Sequence, residues 1–521
     1  MSEPRLWTGG RVFTGRRYAE AVLVDDGAVV AVGSETELRR SAPTGTERVP
    51  LEGRLVVPGL IDAHLHVGEL TRFREGLNLT EVRDRDDLIE RLRTWASDHP
   101  TGAIVGRGLD LERSLNGRWP LGSDLDRAVS DRPLVLLHAS GHAAVANSAA
   151  LAHAAPDGTP PVDLDSRFGR SADGSLNGLV FEEAVRWLTT LAGPTEPPGA
   201  LVRTLDVLSS LGLTTVAAMN VAPEELASLR ALAAERVLPL RVRVYVRLTR
   251  IRDFRPEDLR PVGPPGRFRV VGAKGFTDGA FGPRTAWLSE PYADDPSTSG
   301  LAVETDEELA EALSAAHEQG LAPALHAIGD RAVLRATRLL GPYLGRDGGA
   351  LARIEHVGLV PPAVLSELGA TRPALVVQPG FVWSDHWLTD RLGAERARWA
   401  YPFRTLADHG LLLAGSSDAP YDPPDPWRGV RAAIGRRDEL GRSANPDPKE
   451  ALALEEAVRL YTANAGTVLG DRSIGTLEAG ARADLVVMAA RDLGQAIREG
   501  AAGVRETWVD GVRVFPPGGP A

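Results

Sequence analysis

The segment Pro58-Gly59-Leu60-Ile61-Asp62-Ala63-His64-Leu65-His66 ends on two histidines two residues apart. On an extended strand that spacing puts both imidazoles on one face, and two imidazoles at the mouth of a strand can hold one metal ion. Taken alone, such a pair more often simply lines a polar strand end. Further groups of the same chemistry recur at comparable places. His326 closes the run Ala322-Pro323-Ala324-Leu325, His356 closes Arg353-Ile354-Glu355, and Asp418 follows Leu411 to Ser417. Lys274 stands out for a compositional reason: of 59 basic residues only Lys274 and Lys449 are lysines. Arginine serves for any simple ion pair in such a chain, and burying an ammonium is costly. Only a lysine amine can add carbon dioxide to become a carbamate, whose two oxygens could bridge two divalent ions. The competing reading is a salt bridge from Lys274 to Asp278 or Glu355.

These groups need elements to carry them. Strand-like apolar runs span Leu60 to His66, Thr214 to Met219, Leu240 to Val246, Val270 to Phe276, Ala322 to His326, Arg353 to His356, Leu375 to Gln378 and Leu411 to Ser416. They alternate with helical stretches at Thr305 to Gln319, Asp330 to Leu340 and Ser228 to Glu235, the rhythm of parallel βα units. Eight such strands make a closed (β/α)8 barrel, where sites gather at the C-terminal strand ends. The candidate ligands lie there. Short strands at 11–14, 21–24 and 28–32 match others at 483–488 and 506–514, the last with a hairpin turn at Asp510-Gly511. Both chain ends are therefore expected in one small sheet domain. The gap after the first barrel strand is too long for one crossover, so residues 75–200 read as an insertion or lid, with Pro/Gly clusters at 156–161 and 193–199.

Composition narrows the function. With 43% hydrophobic and 25% charged residues the chain is of the folded class, and its 521 residues suit one large domain plus a smaller one. The absence of cysteine removes disulfides, thiol nucleophiles and thiolate-held metals. A net charge of −11 without a basic stretch argues against nucleic acid. Neither a signal-like start nor an apolar run of ~18 residues is present, so a cytoplasmic enzyme without a membrane partner is expected. Among weaker candidates, His142 could polarise a substrate carbonyl, and Glu183 lines a pocket or caps surface. His138 and His153 read as structural, and His99, His317 and His409 as solvent-facing. Phe381, Trp383 and Trp387 read as packing rather than a substrate wall.

In order along nearly the whole chain come the histidine segment, Gly141-His142 with Asn147-Ser148-Ala149-Ala150-Leu151, and Lys274-Gly275-Phe276-Thr277-Asp278-Gly279 through Arg284-Thr285-Ala286. They are followed by His326-Ala327-Ile328-Gly329-Asp330-Arg331-Ala332, Arg353-Ile354-Glu355-His356, Gln378-Pro379 and Ser417-Asp418-Ala419-Pro420. The set resembles the amidohydrolase superfamily, and within it the YtcJ-like branch that includes N-substituted formamide deformylases. The resemblance implies a (β/α)8 TIM barrel over 58–469, a small β-sandwich from 1–57 plus 470–521, and one or two divalent ions, zinc by expectation. It would place His64, His66 and Asp418 at a first metal, His326 and His356 at a second, and a carboxylated Lys274 between them. Two departures bear on substrate recognition. Ser140 stands where the family often has Asp, and the stretch Asp278-Gly279-Ala280-Phe281-Gly282-Pro283-Arg284 replaces Asp-Gly-Ser-Leu-Gly-Ser-Arg. The expected reaction is hydrolysis of a non-peptide C–N bond in a small amide or formamide, with Asp418 as general base and acid. A cyclic amidohydrolase or deaminase, and a non-catalytic binding protein on the same fold, are the alternatives. A homodimer is left open.

Overall fold

The computed structural model describes residues 4–155, 159–191, 199–345 and 349–517. The chain divides into two compact units, Met1–Val67 with Val202–Ala521, and Gly68–Leu201.

The larger unit is organised by eight parallel strands that neighbour one another in chain order: β1 (Leu60–Leu65), β2 (Leu213–Val221), β3 (Arg241–Arg247), β4 (Phe268–Phe276), β5 (Ala322–Ala327), β6 (Arg353–His356), β7 (Ala374–Val377) and β8 (Leu413–Gly415). Covered on both faces, they are near-continuous apolar runs rather than alternating ones, as parallel strands require. Ile61, Ala63, Ala217, Met219, Tyr245, Ala324, Val376 and Ala414 share one buried core. Just beyond the last strand, the Asp418 N–H donates to the His64 carbonyl and the His66 N–H to the Ala419 carbonyl, each at 2.8 Å. The exit of β8 is thereby stitched to the exit of β1. All eight strands expected from the sequence are present, with ends displaced by a few residues.

Helices between the strands follow local signals. Thr305 caps Asp306–Glu318 in a capping box with Glu308, and Asp330–Leu340 turns an apolar face inward through Val333, Ala336 and Leu340. The helix expected from Ser228 runs instead over Pro223–Ala234. Its start is Pro223 at the first turn, where a missing N–H costs nothing.

Strands from both chain ends build two sheets. One joins 28–33, 21–25, 5–8 and 47–50; the other orders 512–515, 504–509, 485–488, 55–58, 11–13 and 18–19. Leu55–Pro58 pairs antiparallel with Leu485–Met488, so the termini share a ladder. A common core holds Trp7, Val22 and Val29 of one sheet with Val56, Val487 and Trp508 of the other, and the two indoles meet edge-on at 5.2 Å. Arg241 of β3, fully buried, donates to both oxygens of Asp484 at 2.8 and 2.9 Å and also to Asp510, tying barrel to sandwich.

Gly68–Leu201 carries its own six-stranded sheet, ordered 168–170, 176–181, 143–146, 134–138, 104–109, 77–78, the last three parallel and the rest antiparallel. The helix Arg85–Asp98 sends Leu88 and Leu92 into a core with Leu109 and Leu136. Of the two loop clusters read within this stretch, positions 156–158 and 193–198 lie outside the described residues. No described helix is long and apolar enough to cross a membrane.

Candidate metal centre

Parallel strands in a barrel deliver their C-terminal ends to one rim. His64 lies at the end of β1 with His66 just past it, Lys274 is on β4, His326 on β5, His356 ends β6, and Asp418 follows β8 by three residues. His64, His356 and Asp418 each offer a ligand atom, all within 4.8 Å of one another. Asp418 Oδ1 lies 3.2 Å from both His64 Nε2 and His66 Nε2, and its Oδ2 lies 4.0 Å from His356 Nδ1. The His326 and His356 rings are 4.4 Å apart between centroids. All six side chains but His66, which is 11% exposed, are buried.

The backbone is bent to achieve this. His356 has φ +74° and Asp418 φ +59°, left-handed conformations that cost a non-glycine residue about 1–3 kcal/mol and persist only where neighbours enforce them. Here the Asp418 N–H is pinned to His64, and the Val357 N–H to the Ala327 carbonyl at 3.0 Å.

Three polar atoms at the centre are buried without a hydrogen-bond partner: His64 Nε2, Asp418 Oδ1 and Lys274 Nζ. Buried polar atoms are almost always paired, so a cluster of exceptions asks for a reason. A cation between the first two would satisfy both, because they are 3.2 Å apart but not aligned as donor and acceptor. The residues present therefore fit a divalent ion held by nitrogen and oxygen. Lys274 forms neither of the salt bridges weighed for it. Asp278 accepts from the N–H groups of Trp287, Ile328 and Gly329, and Glu355 is engaged elsewhere. Burial pushes the Lys274 amine down to about 8, against the pull of Glu355 and Asp418. Burial likewise holds His66 below, and His356 well below, the usual imidazole range, which keeps their lone pairs available. For His64, burial and Lys274 act downward, but Glu355 and Asp418 outweigh them and raise it.

The partners behind these side chains were not assigned from the sequence. His64 Nδ1 donates to Glu355 Oε2 at 2.6 Å, and Glu355 Oε1 forms an ion pair with Arg353 Nε at 2.6 Å. Arg353, fully buried, also donates to the Ala63 carbonyl at 3.0 Å and lies over the Tyr245 ring. His356 Nδ1 pairs with Gln378 Oε1 at 2.7 Å, and His326 Nε2 with the Gly279 carbonyl at 3.0 Å. Asp62 accepts from the His64 N–H at 3.1 Å and from Ser417 Oγ at 2.5 Å. Glu355 escapes a strand-based reading because alternation sends it and His356 to opposite faces. The left-handed φ at His356 lets both serve one site.

The weaker candidates distribute as follows. His142 belongs to the unit 68–201, where its Nδ1 pairs with Glu182 Oε2 at 2.7 Å. Glu182 is the acidic residue that matters there, whereas Glu183 lies 3.4 Å from Arg167. His138 Nδ1 meets Ser140 Oγ at 2.8 Å. His153 corrects the structural reading, since it is exposed like His99 and His409; His317 is half-buried against Tyr343. Phe381, Trp383 and Trp387 are half-buried rather than core, and the Phe381 ring runs parallel to His356 at 6.3 Å.

Residues 47–515 match the model of the amidohydrolase family. The chain belongs to this family. Among similar proteins, the amidohydrolase YtcJ of Bacillus subtilis, described as putative, is 32% identical over 93% of this chain and 94% of its own length. An N-substituted formamide deformylase of Arthrobacter pascens is 26% identical over 90% of each. A crystal structure of an uncharacterized metal-dependent hydrolase from Pyrococcus furiosus superimposes with a TM-score of 0.74 and 31% identity, covering 94% of this chain and 99% of that one. This amidohydrolase thus keeps the family's fold along essentially its whole length.

Proposed function

We propose that this amidohydrolase is a metal-dependent hydrolase cleaving a C–N bond other than a peptide bond, in a small amide or formamide. The observation that carries the reading is the set of buried, unsatisfied donor atoms, His64 Nε2, Asp418 Oδ1 and Lys274 Nζ, gathered at the barrel rim. The formamide deformylase among its relatives supports the bond class. Divalent ions held here, zinc by the nature of the donors, would supply Lewis acidity toward a carbonyl and a water acidified toward neutrality. His64, His66 and Asp418 would hold one ion, His326 and His356 the other. Lys274 would serve the same centre as a carbamate: its desolvated amine, once it has lost the ammonium proton, adds carbon dioxide and releases a second proton, leaving two oxygen donors in place of a buried cation. Asp418 takes the proton of the attacking water and returns it to the leaving amine. His142 is given the separate role of polarising the substrate carbonyl, for which His142→Asn should lower kcat.

Metal-loaded protein assayed on N-formyl amines, N-acyl amines, cyclic amides and amidine-type rings tests the reading. Turnover of the open-chain amides supports it. Turnover of rings alone would reassign the chain to cyclic amidohydrolases or deaminases, and a metal-free, inert protein would leave the non-catalytic alternative.

A further inference from the structure

A recess of about 350 Å³ opens beside the helix Asp330–Leu340, and no residue lining it belongs to the metal centre. Trp287 and Leu334 give it apolar wall, and Arg331, Arg335, Arg338 and Asp306 give it charge. The three arginines stand at i, i+4 and i+7, so they share one face of the helix, where like charges repel unless an anion compensates them. Asp306 compensates one of them. Arg335 donates to its carboxylate, and also to the Glu304 and Thr277 carbonyls. Arg331 and Arg338 are exposed, and among the described residues neither guanidinium makes a hydrogen bond or an ion pair; Arg331 instead lies over the Trp287 ring at 4.3 Å. Three guanidinium groups against one carboxylate leave two positive charges uncompensated, in a chain whose net charge is −11. The walls are held from inside the protein. Arg335 is only 9% exposed, and the Trp287 N–H donates to Asp278 Oδ2 at 2.9 Å. Trp287 also packs so closely on the start of the helix that a Cβ at Gly329 would meet its carbonyl oxygen at 2.0 Å. A site fixed in this way orders little more when it fills, which favours binding.

We propose that this recess is a second ligand site, taking a small organic oxyanion. The charged end, a carboxylate or a phosphate monoester, lies between Arg331 and Arg338, and the apolar body lies against Trp287 and Leu334. The two arginines are about 10.5 Å apart along the helix axis, a span that two long side chains close upon one anion. Guanidinium forks match carboxylate and phosphate oxygens through paired N–H donors. The volume falls in the range of small-molecule sites, and with the apolar wall it favours a ligand larger than an inorganic ion. The proposal concerns binding alone and does not rest on the metal-dependent reading.

Calorimetric titration at low ionic strength tests it, with phenyl phosphate, benzoate and inorganic phosphate as probes. Wild-type protein is compared with the double variant Arg331→Gln/Arg338→Gln, whose folding is checked by circular dichroism. Phenyl phosphate or benzoate should bind the wild type, and the tighter of the two identifies the charged end. The double variant should bind it at least about 10-fold more weakly, and inorganic phosphate should bind the wild type roughly 10-fold more weakly for want of an apolar body. An oxyanion held at the metal centre would bind wild type and variant alike, and that result overturns the proposal, as does the absence of binding by either organic probe. Inorganic phosphate binding as tightly as phenyl phosphate and benzoate overturns the organic ligand. A crystal of the wild type soaked in the tighter probe decides if the variant does not accumulate: density between Arg331 and Arg338 is expected, and density elsewhere only, or density in the recess without a calorimetric signal, overturns the site.

Discussion

At the scale of single residues, the centre is defined by side chains that the surrounding protein leaves unsatisfied. Asp418 shows this most clearly: it sits on left-handed backbone, its N–H is tied to His64, and Oδ1 faces two imidazole nitrogens without a hydrogen bond. Replacing it by asparagine keeps the shape but removes the proton acceptor. Asp418→Asn should lower kcat by about 10²-fold or more, with an unchanged circular dichroism spectrum; near-normal rates would remove its assigned role. Lys274 gives a sharper contrast, because its Nζ has no hydrogen-bond partner among the described residues and meets the face of the Phe276 ring, 4.7 Å away. An ordinary buried cation would tolerate Lys274→Arg. A carbamate cannot form on guanidinium, so that variant should lose metal, read by elemental analysis, together with activity. Added short-chain carboxylate should return part of the activity to Lys274→Ala.

At the scale of elements, the seam between β1 and β8 aligns the ligands. Asp62 is the clasp, accepting from Ser417 Oγ and N–H on one strand exit and from the His64 N–H on the other. Ser417→Ala removes the 2.5 Å bond and leaves a buried carboxylate short of a donor, which costs about 1–3 kcal/mol. The thermal midpoint should fall, and metal affinity with it, because the same clasp holds His64 and Asp418 in register. The eight strands were readable from apolar runs, since burial on both faces leaves that mark in composition. The clasp was not readable. Asp62 and Ser417 are 355 residues apart in sequence, and only barrel closure brings them together.

At the scale of the whole molecule, the barrel and the sheets from both termini are joined through buried arginine. Arg241 is fully enclosed and paired with Asp484 and Asp510. Asp484→Asn strands part of that charge and should destabilise the protein by about 3–5 kcal/mol, read as a lower thermal midpoint. Burial pushes the Asp510 carboxyl up, but Arg241, then Arg267 and Arg482, outweigh it and hold it below the usual carboxylate range. The folded value is depressed, so the stability Asp510 contributes is present above its unfolded value of ~4 and lost as pH falls through the folded one. The gap in thermal midpoint between wild type and Asp510→Asn should therefore narrow as pH is lowered below about 4. Metal acts on the same scale. An ion that binds only folded protein adds about 2.7 kcal/mol at a hundredfold excess over Kd, so stripping should lower the thermal midpoint and reloading restore it.

The sequence by itself determined the barrel, the sharing of one sheet by both termini, and the residue types at the strand ends. Those are local properties: apolar runs, turn residues, and one of only two lysines in a chain rich in arginine. Tertiary structure alone decided which atoms meet. Glu355 is placed behind His64 by a side-chain hydrogen bond between strands that are not neighbours in the sheet, and by a positive φ at His356 that breaks the alternation of side chains. Glu182 rather than Glu183 backs His142 for a similar reason, since Glu182 also takes a positive φ, +52°. Such choices depend on contacts between distant segments and on strained backbone that neighbours enforce, and neither leaves a periodic trace in the order of amino acids.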